Sequence, residues 1–325
     1  MDVFMERRSP MTENNIMPFI PENISPDITF QEFFYIYFQD IQVRLKPATI
    51  SSKKRIFQQK ILPFFGPLPM NEITPQHIRK WQSVILKQNY SLSYQMLIDL
   101  QLSAIMRYAE HYYDFPNPCT KAGHIGKSHA KSFGIWTPED YDLFISHFSS
   151  DPEAFTAFEL LYWTGMRQGE LLALTPNDID IPRRQIFISK TYARIDGKDL
   201  ISTPKTRKSI RTIGIPQFLS DEVTIYICSN HILPDQRLFE RTHHYLYYKM
   251  KKGCEASGVR RIRVHDIRHS HVSLLINAGF SALDISERVG HESVSTTLDI
   301  YSHLFPMQQK MLSDRLNELH EQLEQ

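Results

Sequence analysis

Apolar residues recur at helical spacing through most of the stretch from Thr29 to Tyr113. TFQEFFYIYFQDI carries an apolar stripe behind Thr29, with Glu32 three residues on, the signature of a capping box. KPATISSKKRIFQQKILPFFG starts at Pro47 and runs into a Gly-Pro breaker, and TPQHIRKWQSVILKQ opens on a Thr74 cap with Pro75 in the first turn. SLSYQMLIDLQLSAIMRYAEHYY places Leu100, Ile105, Met106 and Ala109 at helical spacing. The pattern predicts four helices without a strand, a small helical domain over residues 29–113. Residues 1–28, with several Pro and Asn and little periodicity, read as a flexible or extended arm.

The segment DFPNPCTKAGHIGKSHAKSFGI, residues 114–135, breaks the periodicity with two Pro and three Gly and reads as a linker. Its Lys121, Lys127 and Lys131 make it basic enough to lie along a polyanion. From Trp136 helical patterns return, one in TPEDYDLFISHF and two more around Gly165. The period then changes. RQIFIS, KDLIST and SIRTIGIP are short, β-branched and separated by turn formers such as Asp196-Gly197, which predicts a three-stranded antiparallel sheet. Helical patterning resumes at Leu219 and continues almost to the end, so residues 136–325 form a second domain with a helical tail. The fold class is mainly α with a small antiparallel sheet (α+β). A doubly wound sheet is excluded by the lack of strand–helix alternation and of G-x-G-x-x-G.

Composition changes this picture little, charge more. The 325 residues suit two domains, and 42% hydrophobic with 22% charged residues describe an ordinary globular chain. The net charge of +1 hides segregation: residues 41–131 carry +9 and residues 181–270 carry +10, set among acidic tracts. Two basic surfaces, one per domain, follow from that alternation. Lys53, Lys54, Arg55, Lys121, Lys127, Lys131, Arg207, Lys208 and Arg211 are the candidates for DNA contact. Three scattered cysteines suggest neither a disulfide framework nor a thiolate zinc site. The start lacks an apolar signal region and no run of 18 apolar residues occurs, so the expected location is cytoplasmic, without a membrane partner.

Four motifs carry candidate chemistry. TGMRQGELLALT sets Arg167 three residues before Glu170, which can orient the guanidinium; alone, the pair reads equally as a surface ion pair. STPKTRKSIRTI crowds Lys205, Arg207, Lys208 and Arg211 at a strand–strand turn, fit for phosphate contact or for guarding a sheet edge. VHDIRHSHVSLLINAG places His265 and Arg268 at i,i+3, with His269 and His271 beside them. Three histidines raise a metal site, but H-E-x-x-H and acidic or thiolate ligands are lacking, so no metal is expected. VGHESVSTTLDIYSH puts Tyr301 ten residues after His291, and a lone tyrosine there would ordinarily be a packed phenol.

Together these residues are the parts needed to attack a phosphodiester without a metal. Two guanidiniums can clamp the non-bridging oxygens, Tyr301 can supply the nucleophilic oxygen, Lys205 can protonate the leaving 5′-oxygen, and His265 and His291 can donate hydrogen bonds or move the tyrosine proton.

The set and its order resemble the tyrosine recombinase (phage integrase) family, in the branch from phages and integrative mobile elements. The likeness spans roughly residues 29–306: Arg167 within T-G-M-R-Q-G-E-L, Lys205 within T-P-K-T, His265 and Arg268 as H-x-x-R, His291 within G-H-E-S, then Tyr301. Glu170 matches the acidic residue that commonly supports the first Arg. The resemblance implies a helical core-binding (SAM-like) domain at 29–113 and a catalytic domain at 136–325 that clamp DNA. It implies a homotetramer on paired recombination sites in double-stranded DNA, a 3′-phosphotyrosyl intermediate, and accessory DNA-bending or excision factors as partners. Neither ATP nor a divalent ion is implied, so no cofactor is expected. Many integrases of this branch carry a domain for arm-type sites. Residues 1–28 show no compact strand-rich pattern, so either that domain is missing, leaving simple two-site recombination, or it lies upstream.

Leu312, Leu316, Leu319 and Leu323 form a helical stripe on a polar tail, suited to docking on its own domain or, in exchange, on a neighbouring protomer. The competing functions are chromosome or plasmid dimer resolution, a transposase-like recombinase, a type IB topoisomerase, and a DNA-binding regulator without catalysis.

Overall fold

The computed structural model describes residues 21, 23–128, 133–204, 206–301 and 307–323. The expected arm at 1–28 therefore falls almost wholly outside the described residues, as do Lys131 and Lys205. The chain divides into two compact units with the boundary between Ala130 and Lys131.

In the first unit, α1 (Phe30–Gln42) starts where the sequence places it. The Thr29 N–H donates to Glu32 Oε2 at 3.0 Å and the Glu32 N–H donates to Thr29 Oγ1 at 3.2 Å. α2 (Pro47–Ile56) passes through one π-helical turn at Phe57–Ile61 into α3 (Leu62–Phe65), so the second predicted helix is a single rod with a wide turn. α4 (Pro75–Leu86) and the long α5 (Leu92–Tyr113) complete the set, and Asp114 ends α5 in the left-handed conformation at φ 55°. Phe30, Phe33, Phe57, Phe65, Trp81 and Met106 interlock as an aromatic-rich core.

The expected linker at 114–135 is corrected by this core. Phe115, Cys119 and Ala122, the last two on α6 (Cys119–Ala122), and Ile125 are buried in it. Polar contacts fix the same stretch: Gln82 Nε2 donates to Asp99 Oδ1 (3.0 Å) and Gly123 O (2.7 Å), and His124 Nδ1 lies 2.6 Å from Asp99 Oδ2. Gly126 is held to glycine by both its φ of 79° and the Met96 backbone, which a Cβ would meet at 2.3 Å. Four well-spaced apolar residues were enough to dock a segment whose periodicity looked irregular. The other end, near Trp136, belongs to the second unit: its N–H donates to Ser270 Oγ at 3.0 Å and its indole to Arg260 O at 2.7 Å.

The second unit is built around α8 (Pro152–Thr164), buried on nearly every face. α7 (Pro138–Ser146) precedes it behind a Thr137–Asp140 capping box, and the short α9 (Gln168–Leu171) follows. Then come β1 (Ile179–Asp180), β2 (Gln185–Ile188), β3 (Thr191–Ile195), β4 (Lys198–Ser202) and β5 (Arg211–Gly214). The expected single three-stranded sheet is two antiparallel sheets, one in the order β1-β2-β5 and one hairpin, β3-β4. β2 and β5 pair with each other, with Ile186 opposite Ile213, and β4 pairs with β3, a strand the pattern did not predict. The reason is local. Asp196 (φ 48°) and Gly197 (φ 80°) form a two-residue turn that sets Ile195 against Lys198, while β4 offers no buried residue to bring it onto the β2–β5 core.

The remaining helices are α10 (Gln217–Ser229), α11 (His243–Ser257), α12 (Asp266–Asn277), α13 (Ala282–Val289), α14 (Val294–Tyr301) and α15 (Met307–Leu323). α10 and α12 pack on α8. A small separate core joins α12, α13 and α14 through Val272, Ile276, Ile285, Val289 and Tyr301. On α15 the leucine stripe is exposed, with Leu316 at 64% and Leu323 at 86%. Among the described residues no helix is long and apolar enough to cross a membrane.

Candidate active site

Arg167 follows the Gly165 turn that ends α8. Its N–H donates to Glu170 Oε2 at 2.9 Å, its Nη1 to Glu170 Oε1 at 2.8 Å and its Nη2 to Gly290 O at 3.2 Å. About a third of the side chain stays open to solvent. Glu170, 2% exposed, does more than orient Arg167. It also accepts Nη2 of Arg211 at 2.9 Å and Nη1 at 3.2 Å. Burial alone would raise the Glu170 pKa, but Arg211 and Arg167 outweigh it and hold the carboxyl below the usual range.

That network corrects the expectation for Arg211. It is buried, with Nε on Arg288 O (2.8 Å) and Nη1 on Ser209 O (3.0 Å), so its donors are spent inside the protein and not on DNA. Arg207 and Lys208 in the adjoining turn are exposed, as are Lys54, Arg55, Lys121 and Lys127 in the first unit. Lys53 is half-buried and donates to Gln101 Oε1 at 2.6 Å.

Arg268, one turn into α12 and 4% exposed, is gripped by two carbonyls, Gly165 O at 2.8 Å and Val289 O at 2.6 Å. Burial first, then the charges of Arg167 and Arg211, press its pKa down, yet a guanidinium keeps its proton at neutral pH. Gly165, Val289 and Gly290 thus bring Arg167 and Arg268 to one place through main-chain acceptors. Gly290 has to be glycine: φ is 69°, and a Cβ would meet Lys208 O at 2.9 Å. Two like charges so held favour an anion between them.

The histidines divide into two groups. His265 immediately precedes α12, and burial followed by Arg268 and Arg167 lowers its pKa. His291 follows Gly290, its Nδ1 lies 2.8 Å from Thr297 Oγ1, and burial, then Arg268 and Arg167, push it down to about 4. His269, weighed in the sequence only as a metal ligand, turns toward the site: its ring lies 5.6 Å from that of His265, edge to face, and its Nδ1 meets the Tyr301 hydroxyl. His271 does not join them. It is 1% exposed beneath Gly165 and accepts from Arg288 Nε at 3.1 Å. Among the described residues no three His, Cys, Asp or Glu side chains are grouped to hold a metal ion.

Tyr301 ends α14 and is 1% exposed inside the small core of α12–α14, with the Phe133 ring 5.6 Å away. Burial raises its pKa well above the ordinary phenol value, so the hydroxyl is protonated at neutral pH. Phe133 went unnoticed in the sequence, and His269 was weighed there only as a metal ligand. The one available signal was that His269 lies one helical turn from His265, on the same face.

A cavity of about 840 Å³ opens beside His265, lined by His243, Tyr247, Arg260, Arg261 and Arg263 among others. The Arg261 guanidinium lies 4.6 Å over the Tyr247 ring, and Arg263 pairs with Asp266 at 2.8 Å. These arginines, which charge counting placed only within a broad tract, give the site a basic flank. A larger cavity, about 1260 Å³, holds none of the candidate residues and is crossed by the Glu153–Arg241 and Asp151–Lys249 pairs.

Comparison with known proteins gives the family and the fold. Residues 29–86 match the phage integrase N-terminal SAM-like domain, and residues 137–308 match the phage integrase family. The chain is 31% identical over 318 residues to the ICEBs1 integrase of Bacillus subtilis (strain 168), covering 91% of this chain and 84% of the relative. It is 25% identical over 297 residues to a putative prophage phiRv2 integrase of Mycobacterium tuberculosis, covering 86% and 76%. In fold it is similar to the Tn1549 transposon integrase bound to transposon right end DNA (TM-score 0.70, 19% identity, covering 89% of this chain and 100% of that one). A lambda integrase dimer on a core site is also similar (TM-score 0.63, 17% identity, covering 84% and 95%). A helical unit followed by a mixed unit that gathers arginines, histidines and a tyrosine is accounted for: the chain belongs to the phage integrase family and is a tyrosine-type site-specific DNA recombinase.

Proposed function

We propose that this recombinase integrates and excises a mobile genetic element, with Tyr301 as its nucleophile. The observation that carries the reading is the clamp: carbonyls of Gly165, Val289 and Gly290 hold Arg268 and Arg167 beside one another, next to His265, His291 and Tyr301. The 31% identical relative is an integrase named for ICEBs1, which supports integration and excision over dimer resolution.

In this mechanism a phosphate of one DNA strand lies between Arg167 and Arg268, which neutralise the charge that grows on its non-bridging oxygens. Tyr301 Oη forms a bond to phosphorus as the bond to the 5′-oxygen breaks, leaving a 3′-phosphotyrosine and a free 5′-hydroxyl. Lys205, in the basic stretch of sequence between β4 and β5, is the proposed acid for that oxygen. Attack by the 5′-hydroxyl of a partner strand reverses the step and conserves the bond count. The exposed leucines of α15 are the proposed contact between protomers in a tetramer on paired sites, the assembly that a lambda integrase of similar fold adopts on a Holliday junction.

A nicked suicide substrate, which loses the 5′-strand after cleavage, tests the chemistry. It should trap a covalent protein–DNA adduct in which sequencing places the 3′-phosphate on Tyr301, and Tyr301→Phe should form none. An undiminished adduct with Tyr301→Phe would end the reading.

A further inference from the structure

The Tyr301 hydroxyl must lose a proton to attack, and the site offers several histidines. We propose that His269 is the base that takes the Tyr301 proton, with Phe133 fixing its ring for the transfer. The proposal rests on the reading of Tyr301 as nucleophile and names a catalytic residue that the sequence motifs did not.

Geometry selects His269. Among the described residues, its Nδ1 is the atom that the Tyr301 hydroxyl meets. His291 turns its own Nδ1 to Thr297 Oγ1 at 2.8 Å, and His265 presents its ring edge to face with His269 at 5.6 Å. Phe133 lies flat on the His269 ring, with centroids 4.2 Å apart and planes 15° apart, and also borders Tyr301. Stacking on one face and the phenol at Nδ1 leave the ring little freedom to rotate.

Electrostatics explains why such a base would wait for DNA. The charged or titratable groups facing His269 are His265, Asp266, Arg268 and Arg263 around the start of α12, His291 after α13 and Tyr301 on α14. Burial first, then His265, Arg268 and Arg263 against the opposing Asp266, push His269 down to about 4. It is therefore neutral at pH 7, and as base it carries its proton on Nε2 and offers the Nδ1 lone pair to the phenol hydrogen. A DNA phosphate between Arg167 and Arg268 offsets the positive charge that depresses His269, so its basicity rises when substrate is present. As Tyr301 Oη bonds to phosphorus, its proton passes to His269 Nδ1; the 5′-oxygen takes a separate proton from its own acid. Religation returns the His269 proton to the departing phenolate.

The test is single-turnover adduct formation on the nicked substrate across pH, for the unaltered protein, His269→Asn, His269→Ala and Tyr301→Phe. The Asn side chain keeps an acceptor near the Nδ1 position but holds no proton. With His269 as base, both His269 variants slow adduct formation by about 10²–10⁴-fold with DNA affinity unchanged, and the fall in rate toward acid pH disappears. If His269→Asn reacts at the unaltered rate with the acid fall intact, His269 only positions Tyr301, or His265 or His291 is the base, and the proposal is wrong. Should His269→Ala fail to fold, His269→Asn carries the comparison. Adduct retained in Tyr301→Phe marks failure of the nucleophile reading instead, a result that His269 variants cannot mimic.

Discussion

The arginine side of the site and the tyrosine side are held by opposite means. Around Arg268, Arg211 and Glu170, charges are buried but each is tied to a carbonyl or a counter-charge. Around Tyr301, the surroundings are Val272, Ile276, Ile285 and Val289, and the polar tie is to one histidine. Charges that must meet a phosphate gain from being fixed beforehand, because no reorganisation is then needed as negative charge grows. The proposed nucleophile gains from the reverse: an apolar sheath keeps the phenol protonated and inert.

The largest blow to this contrast should come from Glu170→Ala. It leaves Arg211 buried without its counter-ion, and one-sided loss of a buried pair costs about 3–5 kcal/mol. Denaturant unfolding should show that loss, falling mostly on Arg211 because Arg167 keeps access to solvent. Equal stability in the variant would mean that the arginine side is not held by its ion pairs.

Acid should act next, through the histidines. His271 is pushed down to about 3, and His269 and His291 to about 4, by burial and neighbouring positive charge. A histidine with a depressed folded pKa contributes stability that is complete above its unfolded value of about 6.5 and is lost as pH falls toward the folded value. Stability should therefore decline between about pH 6.5 and 4, with His271 alone, nearly fully buried, giving a slope of about 1.4 kcal/mol per pH unit. In His271→Gln the slope should be shallower. An unchanged slope would remove His271 as its source.

Gly290→Ala tests the hinge between the two sides. The left-handed backbone costs a non-glycine residue about 1–2 kcal/mol, and the added methyl would crowd Lys208 O and the Arg211 side chain. Cleavage should fall by more than that stability loss explains, because Gly290 O also holds Arg167. A matched fall in both would leave Gly290 a purely structural turn.

The smallest effect on stability should come from the double change Leu312→Ser and Leu316→Ser on the exposed stripe, within about 0.5 kcal/mol. Assembly on paired DNA sites, followed by light scattering, should nevertheless weaken. Unchanged assembly would detach α15 from the tetramer proposed above.

Much of this was legible in the chain. Thr29 with Glu32 and Thr74 with Pro75 mark helix starts by residues that are close in sequence, and each cap forms. The strands β2, β4 and β5 could be read from their short β-branched runs, whereas which strand pairs with which could not, because a two-residue turn competed with a more distant partner. Arg211 misled for a related reason: in a run of Lys205, Arg207, Lys208 and Arg211, nothing local shows which cation turns inward.

The sequence by itself determined the helical character of both units, the strands β2, β4 and β5, the segregation of charge that a net +1 conceals, and the order of Arg167, Lys205, His265, Arg268, His291 and Tyr301. Those features depend on residue type and near-neighbour spacing, which the chain states directly. Tertiary structure alone decided that Glu170 joins Arg211 to Arg167, that residues 115–125 belong to the helical core, and that Phe133 and His269 meet Tyr301. Phe133 and Tyr301 are far apart along the chain, and their meeting follows from how α12–α14 bury their apolar faces. Burial then sets which groups keep their charge, and no linear pattern carries that information.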